Sequence, residues 1–360
     1  MKKIISIILS TLLFCAAFFA VQNLLLPKSM SKPFEGALTA EYYADSHRND
    51  LVIIGDCEVY ENISPIALWQ EHGVPSYIRG NAQQLMWHSL AMLEDTLRHE
   101  TPKVVLLSVL CLMYGEPQKE EYNRMVFDGM RLSLPKWQGV RSSVLPKEEP
   151  LSYVFPLLRF HDRWNELTRE DLRYYFKKQP VSVKGFVMRA DVKPFDWIST
   201  PRKLSNYDFG QRAIDALDNI TAICKEKNIQ LVLFKAPSLA PHWYDEWDAW
   251  VVDYAAKHDL LYLNALAAKD EIGLDYAQDT YDGGYHLNLR GAETLARWLG
   301  ARLLERCPAL ADRRDDPALA AEWAQTAAQY VAWRAAQEAE IAHNQKVESV
   351  MLYQSFRANP

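Results

Sequence analysis

Leu51-Val52-Ile53-Ile54-Gly55-Asp56-Cys57-Glu58 is the stretch on which the fold turns. Four consecutive aliphatic residues leave no polar face, so the run reads as a strand covered on both sides, as in a parallel sheet. Gly55 permits a tight turn at its end, and Asp56 and Cys57 open the loop that follows. Downstream, residues 65–72 read as a helix, 76–78 as a short strand ending at Arg79-Gly80, and 83–99 as a second helix by apolar spacing. Residues 104–109 form a third buried strand. Strand–helix alternation of this kind predicts a doubly wound α/β sheet.

Residues 115–205 interrupt that rhythm with a stretch rich in proline, basic and aromatic residues, read as an insertion with helices of its own. The alternation then resumes: helix at 209–227, strand at 230–234, helix at 243–258, strand at 261–263 and a closing amphipathic helix at 289–306. An Ala/Glu/Gln/Trp helix at 318–342 is placed to clasp the body or a partner. The expected architecture is a three-layer α/β sandwich with a central parallel sheet. It divides into residues 1–30, an α/β domain at 31–310 carrying the insertion, and a helical extension at 311–360.

The chain has 360 residues, 49% hydrophobic and 24% charged, with net charge −6. That is globular composition, and the acidic balance argues against a nucleic-acid binder. Five cysteines without a C-x-x-C pair exclude a disulfide scaffold and a structural zinc site of that type. No H-E-x-x-H, Walker loop or G-x-G-x-x-G appears, and neither a metal nor a cofactor is expected.

Two stretches carry chemistry. Ligand sites in open parallel sheets lie at the carboxyl ends of the strands, which puts Cys57 at the mouth of the sheet. A thiol there is a nucleophile if a base or local charge ionises it; otherwise it is a small buried hydrophobe. The second stretch is Tyr281-Asp282-Gly283-Gly284-Tyr285-His286-Leu287-Asn288. Its two glycines let the loop fold the carboxylate back onto the imidazole, and a carboxylate-oriented His is the general-base half of a catalytic triad. The other reading is a turn with a surface His, and Asn288 as the N-cap of the next helix.

Weaker signals are Lys235 and Ser238, in Lys-Ala-Pro-Ser after the fourth strand. Lys235 either holds an anionic substrate or snorkels from the strand end. His242, Trp243, Tyr244 and Trp247 form an aromatic-rich helix start that either stacks on sugars or fills the core, with core expected, and His88, His161 and His258 read as structural.

Gly-Asp-Cys after the first strand and an Asp…His-Leu-Asn loop before the last helix together resemble the SGNH (GDSL-type) hydrolase superfamily. Residues 40–310 are similar to the extracytoplasmic SGNH-like proteins that accompany membrane-bound O-acyltransferases in teichoic-acid D-alanylation and alginate O-acetylation. The stretches 55–65, 79–84, 155–164 and 279–292 carry that likeness. The resemblance implies a nucleophile at Cys57, a base at His286 and an acid at Asp282, with Asp279 in reserve. It implies an oxyanion hole from the main-chain N–H groups of Cys57 and Gly80, with Asn81, Gln83 or Gln84 as a further donor, and substrate contacts at Asp56, Gln84 and Lys235. The implied activity is O-acyl transfer or ester hydrolysis on a cell-envelope glycan or teichoic-acid-like polymer, beside a membrane-bound O-acyltransferase. The alternative is a module that keeps the fold to bind carbohydrate or dock that enzyme. Three positions depart from the family: Cys replaces Ser at 57, three residues separate Asp282 from His286 where the family has two, and no Gly-x-Asn-Asp follows the third strand.

At the N-terminus, Met1-Lys2-Lys3 precedes an apolar run over residues 4–21, extended by residues 22–26. The run is long enough to span a hydrocarbon core of ~30 Å at ~1.5 Å per residue. Ala16, Ala17 and Ala20 supply small residues for a cleaved signal but form no A-x-A, and Phe14 before Cys15 spoils a lipobox. A retained single-pass anchor is therefore expected. Lys2 and Lys3 hold the N-terminus inside and place the body outside the cytoplasm, although Lys28 and Lys32 follow on the far side.

Overall fold

The computed structural model describes residues 1–26, 36–176, 180–195 and 201–347. Lys28 and Lys32 lie outside them. Five strands, β1 (Leu51–Gly55), β2 (Ser76–Gly80), β3 (Val104–Ser108), β4 (Gln230–Lys235) and β5 (Leu261–Asn264), form one parallel sheet in the order β2-β1-β3-β4-β5. In β1 and β2, Leu51 pairs with Ser76 and Gly55 with Gly80. This is the flavodoxin-like order, in which the chain leaves β1 for one edge, returns past it to β3 and continues outward; the crevice at that reversal is where such sheets bind ligands.

Fourteen helices occur among the described residues: α1 (Lys2–Leu25), α2 (Ala37–Glu41), α3 (Cys57–Tyr60), α4 (Pro65–His72), α5 (Met86–Thr96), α6 (Glu120–Phe127), α7 (Leu134–Ser143), α8 (Leu157–Phe160), α9 (Arg169–Phe176), α10 (Gln211–Glu226), α11 (Asp245–His258), α12 (Lys269–Ile272), α13 (Leu289–Arg306) and α14 (Pro317–Asn344). Side chains alternate across a strand, so each apolar run feeds two cores. Leu51, Ile53, Val104, Leu106, Val232 and Phe234 face the layer of α4, α13 and α14. Val52, Ile54, Val105, Leu107, Leu231 and Leu233 face that of α5, α10 and α11, which holds Trp243 and Trp247. The three-layer α/β sandwich is as expected.

Between β3 and α10 lie α6 to α9 with 3₁₀ turns at Pro150–Tyr153 and His161–Asn165. His88 is structural: burial depresses its imidazolium to about 3, and its ring joins the Leu85 N–H to the Ser143 hydroxyl.

The C-terminal helix clasps the body. Asp316 caps α14 by accepting the N–H groups of Ala318 and Leu319. Trp323, buried on α14, stacks on Trp69 of α4 with centroids 5.1 Å apart and planes at 14°. Trp323→Ala is expected to cost about 3–5 kcal/mol, the usual range for a buried aromatic truncated to alanine; denaturant unfolding measures it.

Candidate active site

The three residues expected at the reaction centre come together at the carboxyl edge of the sheet. Cys57 begins α3 directly after β1. Asp56 caps that helix, its Oδ1 accepting the Glu58 N–H at 3.1 Å and the Ser108 hydroxyl at 3.4 Å. Gly55 admits no side chain, since a Cβ would stand 2.5 Å from that of Ser108. Gly80 faces the first turn after Cys57, where a Cβ would meet Tyr60 and Val59 at 3.1 Å.

His286 arrives on a loop after β5. Gly283 and Gly284 have φ of 80° and 96°, the left-handed region that favours glycine. They turn the chain so that one carboxylate holds the His twice: Asp282 Oδ1 accepts the His286 main-chain N–H at 2.8 Å, and Oδ2 lies 2.7 Å from Nδ1. The extra residue between Asp282 and His286 is absorbed in this way. Thr280 braces the loop by donating to the His286 carbonyl and accepting the Gly284 N–H, both at 2.8 Å. With Nδ1 engaged, Nε2 is the nitrogen left to face the Cys57 thiol, and the two groups are close enough to shift each other's protonation. Asp279 lies elsewhere, meeting Arg290 and the Asp275 N–H. Asn288 caps α13 through the Gly291 N–H at 3.1 Å, so the cap and the carboxylate-bound His coexist.

Four residues of the site had no role assigned to them from the sequence. Glu61 brings a second carboxylate to 3.3 Å from Nδ1 and accepts the Tyr281 hydroxyl. Tyr281 stacks on His286, centroids 6.0 Å apart, and carries the Arg189 guanidinium 4.4 Å over its ring. Asn62 joins the two halves: it accepts the Leu287 N–H at 2.7 Å and donates to Ser238 at 2.9 Å. The signal for Glu61 was its place four residues after Cys57, one helical turn along the same face; the Glu61 N–H indeed bonds the Cys57 carbonyl at 3.1 Å.

Burial pushes the Cys57 thiol up, and the neighbouring His286 opposes that shift. For His286 burial alone would depress the imidazolium. Glu61, the Cys57 thiolate and Asp282 outweigh it and hold the ring well above its ordinary range. Glu61 supports the imidazolium and, with Asp56, also adds to the rise of the thiol, so both groups are shifted upward together.

Three expectations are corrected. Asn81 is no oxyanion donor here: its main-chain N–H bonds the Gly55 carbonyl, and its amide donates to Thr39 and Gln84, all at 3.3 Å. The Gln84 amide is likewise spent, on the Arg79 carbonyl at 3.4 Å and Ser89 at 3.0 Å. Lys235 is not a substrate cation: it is fully buried, with Nζ 2.6 Å from Glu58 Oε1 and 2.8 Å from the Ala236 carbonyl. An ammonium removed from water needs such a partner, and this one is already occupied.

Asp56 also serves the fold first. Its burial, reinforced by repulsion from Glu58, raises its carboxyl to about 7. Between the ordinary range near 4 and about 7, the folded chain holds a proton that the unfolded chain has lost. Asp56 thus favours folding at the acid end of that window and loses the contribution as pH rises through about 7. Asp56→Asn, which keeps a capping oxygen, is expected to gain stability relative to wild type between pH 6 and pH 8, read by denaturant unfolding at each pH.

Among the described residues, no group of three or more His, Cys, Asp or Glu side chains is arranged to hold a metal ion. No family model matches the chain, and no curated protein does. It is similar to solved structures of GDSL-type hydrolases. One, assigned to the G-D-S-L lipolytic family, is from Desulfitobacterium hafniense DCB-2: 12% identity, 70% of this chain and 97% of that one, TM-score 0.34. An assigned acylhydrolase from Bacteroides fragilis NCTC 9343 shares 10% identity over 80% of this chain and 94% of its own, TM-score 0.35. A GDSL-like lipase from Bacteroides thetaiotaomicron VPI-5482 shares 9% over 74% and 95%, TM-score 0.34. At such identities and TM-scores, no chemistry is carried across from them.

Proposed function

We propose that the chain is a membrane-anchored, extracytoplasmic SGNH-type acyl-transfer enzyme with a Cys57-His286-Asp282 triad. One observation carries this reading: directly after β1 a thiol faces an imidazole that acts on its protonation and whose Nδ1 lies 2.7 Å from a carboxylate. The Cys57 sulfur gives its proton to His286 and attacks the carbonyl carbon of an acyl ester. The donor's alkoxy group leaves with the proton from His286, and a thioester remains on Cys57. An acceptor hydroxyl, or water, then attacks the thioester while His286 takes its proton. The acyl group departs on oxygen and the thiolate is restored. Asp282 fixes the ring and supports the imidazolium.

The Cys57 N–H belongs to the first helical residue and has no intrahelical acceptor, and with Gly80 it serves as the oxyanion donor of this reading. The acceptor is a cell-envelope glycan or teichoic-acid-like polymer, and a membrane-bound O-acyltransferase is the proposed partner. Helix α1, apolar with a mean hydropathy of 2.6 and exposed along most of its length, is the anchor, oriented with Lys2 and Lys3 inside. The test is the intact mass of the full chain after mixing with an activated acetyl ester. One acetyl group mapping to Cys57 is expected, and a folded chain that takes none at Cys57 overturns the enzyme reading.

A second reading has its own observation: the donors of Asn81 and Gln84 are all spent within the fold. It makes the chain a module that binds a wall polymer or docks a membrane enzyme. In that case Cys57→Ala retains polymer binding or co-purification with the multi-span partner.

A further inference from the structure

The C-terminal end of α1 is the part of that helix that touches the body. Gln22 and Leu25 are its buried residues, and α8, α9 and the turn at His161–Asn165 pack against it. Two contacts fix the height of the insertion along the helix. Phe155 meets the ring of Phe18 at 6.4 Å, and Arg163 Nη1 donates to the Leu25 carbonyl at 3.1 Å.

On the reading of α1 as a span, these contacts are depth marks. From Lys3 to Phe18 the helix rises about 22 Å, and from Lys3 to Leu25 about 33 Å. The hydrocarbon core is about 30 Å thick. With the N-terminal lysines at one boundary, Arg163 stands at the other boundary and Phe155 lies below it, level with acyl chains. Tilting the helix only carries Phe155 deeper.

The side chains displayed there match that depth. Leu158, Trp164, Leu172 and Phe176 are 54%, 67%, 47% and 82% exposed, an unusual series for residues facing water. Leu172, Tyr175 and Phe176 share a face of α9 by their spacing, and an aromatic next to an arginine suits the headgroup boundary. Residues 155–176 carry four arginines and four acidic residues, so no net charge draws them to anionic lipid, and their apolar side chains must supply the attraction.

We propose that residues 155–176 lie in the outer interface of the bilayer that α1 crosses, with Leu158, Trp164, Leu172 and Phe176 among the acyl chains and Arg163 at the headgroups. This rests on the anchored reading of α1. The segment and α1 then form two points of attachment, which set the orientation of the sheet above the membrane as well as its distance from it.

The test uses the full chain reconstituted in phosphatidylcholine bilayers containing a diazirine-bearing phosphatidylcholine. Irradiation is followed by peptide mapping. Adducts on both α1 and residues 155–176 are expected, unchanged by raised salt. Adducts on α1 alone overturn the proposal and leave the anchor intact. Adducts on neither overturn the anchor as well. Crosslinks between copies through 155–176 in place of lipid adducts also overturn it, because a second copy would then cover the face. In the variant Leu158→Gln, Trp164→Gln, Phe176→Gln, altered only at exposed positions, labelling of the segment is expected to fall several-fold while that of α1 holds. Unchanged labelling of the segment in that variant would count against the proposal.

Discussion

Replacing His286 with alanine is expected to slow acetylation of Cys57 by an activated ester about 10⁴-fold or more, the scale on which loss of a triad base is felt. Burial raises the Cys57 thiol, and His286 is the group opposing that shift. Without the ring the sulfur keeps its proton and is a poor nucleophile. Asp282→Asn should cost less, because Glu61 remains 3.3 Å from Nδ1 as a second carboxylate. It removes one of the interactions that raise His286, so the ring should titrate at lower pH, which histidine NMR reads directly. Time-resolved intact mass gives the rates. If His286→Ala acylates at the wild-type rate, the thiol reacts unassisted and the triad is wrong.

Lys235→Met is expected to destabilise the fold by about 3–5 kcal/mol, the usual cost of removing one partner of a buried ion pair. The ammonium and the Glu58 carboxylate are both fully buried and 2.6 Å apart. Glu58 Oε2 has no other partner among the described residues, and Asp56 stands close enough to repel it. Methionine fills the space of the lysine stem but strands that carboxylate. The double variant Lys235→Met, Glu58→Gln should recover most of the loss, and the coupling can be read from a double-mutant cycle in denaturant. A lysine that held substrate would behave differently: stability would survive and only substrate affinity would fall.

The sheet was legible because two of its strands, β1 and β3, are near-continuous apolar runs. The runs at residues 51–54 and 104–107 can be buried only on both faces, and every residue of both is buried. The closing helix matches residue for residue because Asn288 caps its start and the apolar spacing continues to Arg306. At the site, chain order was enough to bring Cys57 and His286 to one edge of the sheet. The rest depended on contacts that spacing does not encode. Lys235 looked like a strand-end cation because its partner lies 177 residues earlier in the chain. Asn81 looked like a donor because only the packing of α2 reveals Thr39 as its acceptor. Tyr281 read as part of a turn, yet its value is the hydroxyl it offers Glu61 across 220 residues.

The docking of α14 on α4 bears on how the chain is made. Trp69 emerges early in synthesis, and its stacking partner Trp323 belongs to a helix that begins at Pro317. Every strand can pair before that helix exists, but one face of the assembly stays uncapped until nearly the whole polypeptide has been delivered. Contacts of such long range form slowly, and the waiting intermediates expose apolar surface. A chain synthesised N-terminus first would therefore pass through a stage with a complete sheet and a bare tryptophan, open to proteases and chaperones. Truncation before Pro317 would hold it at that stage.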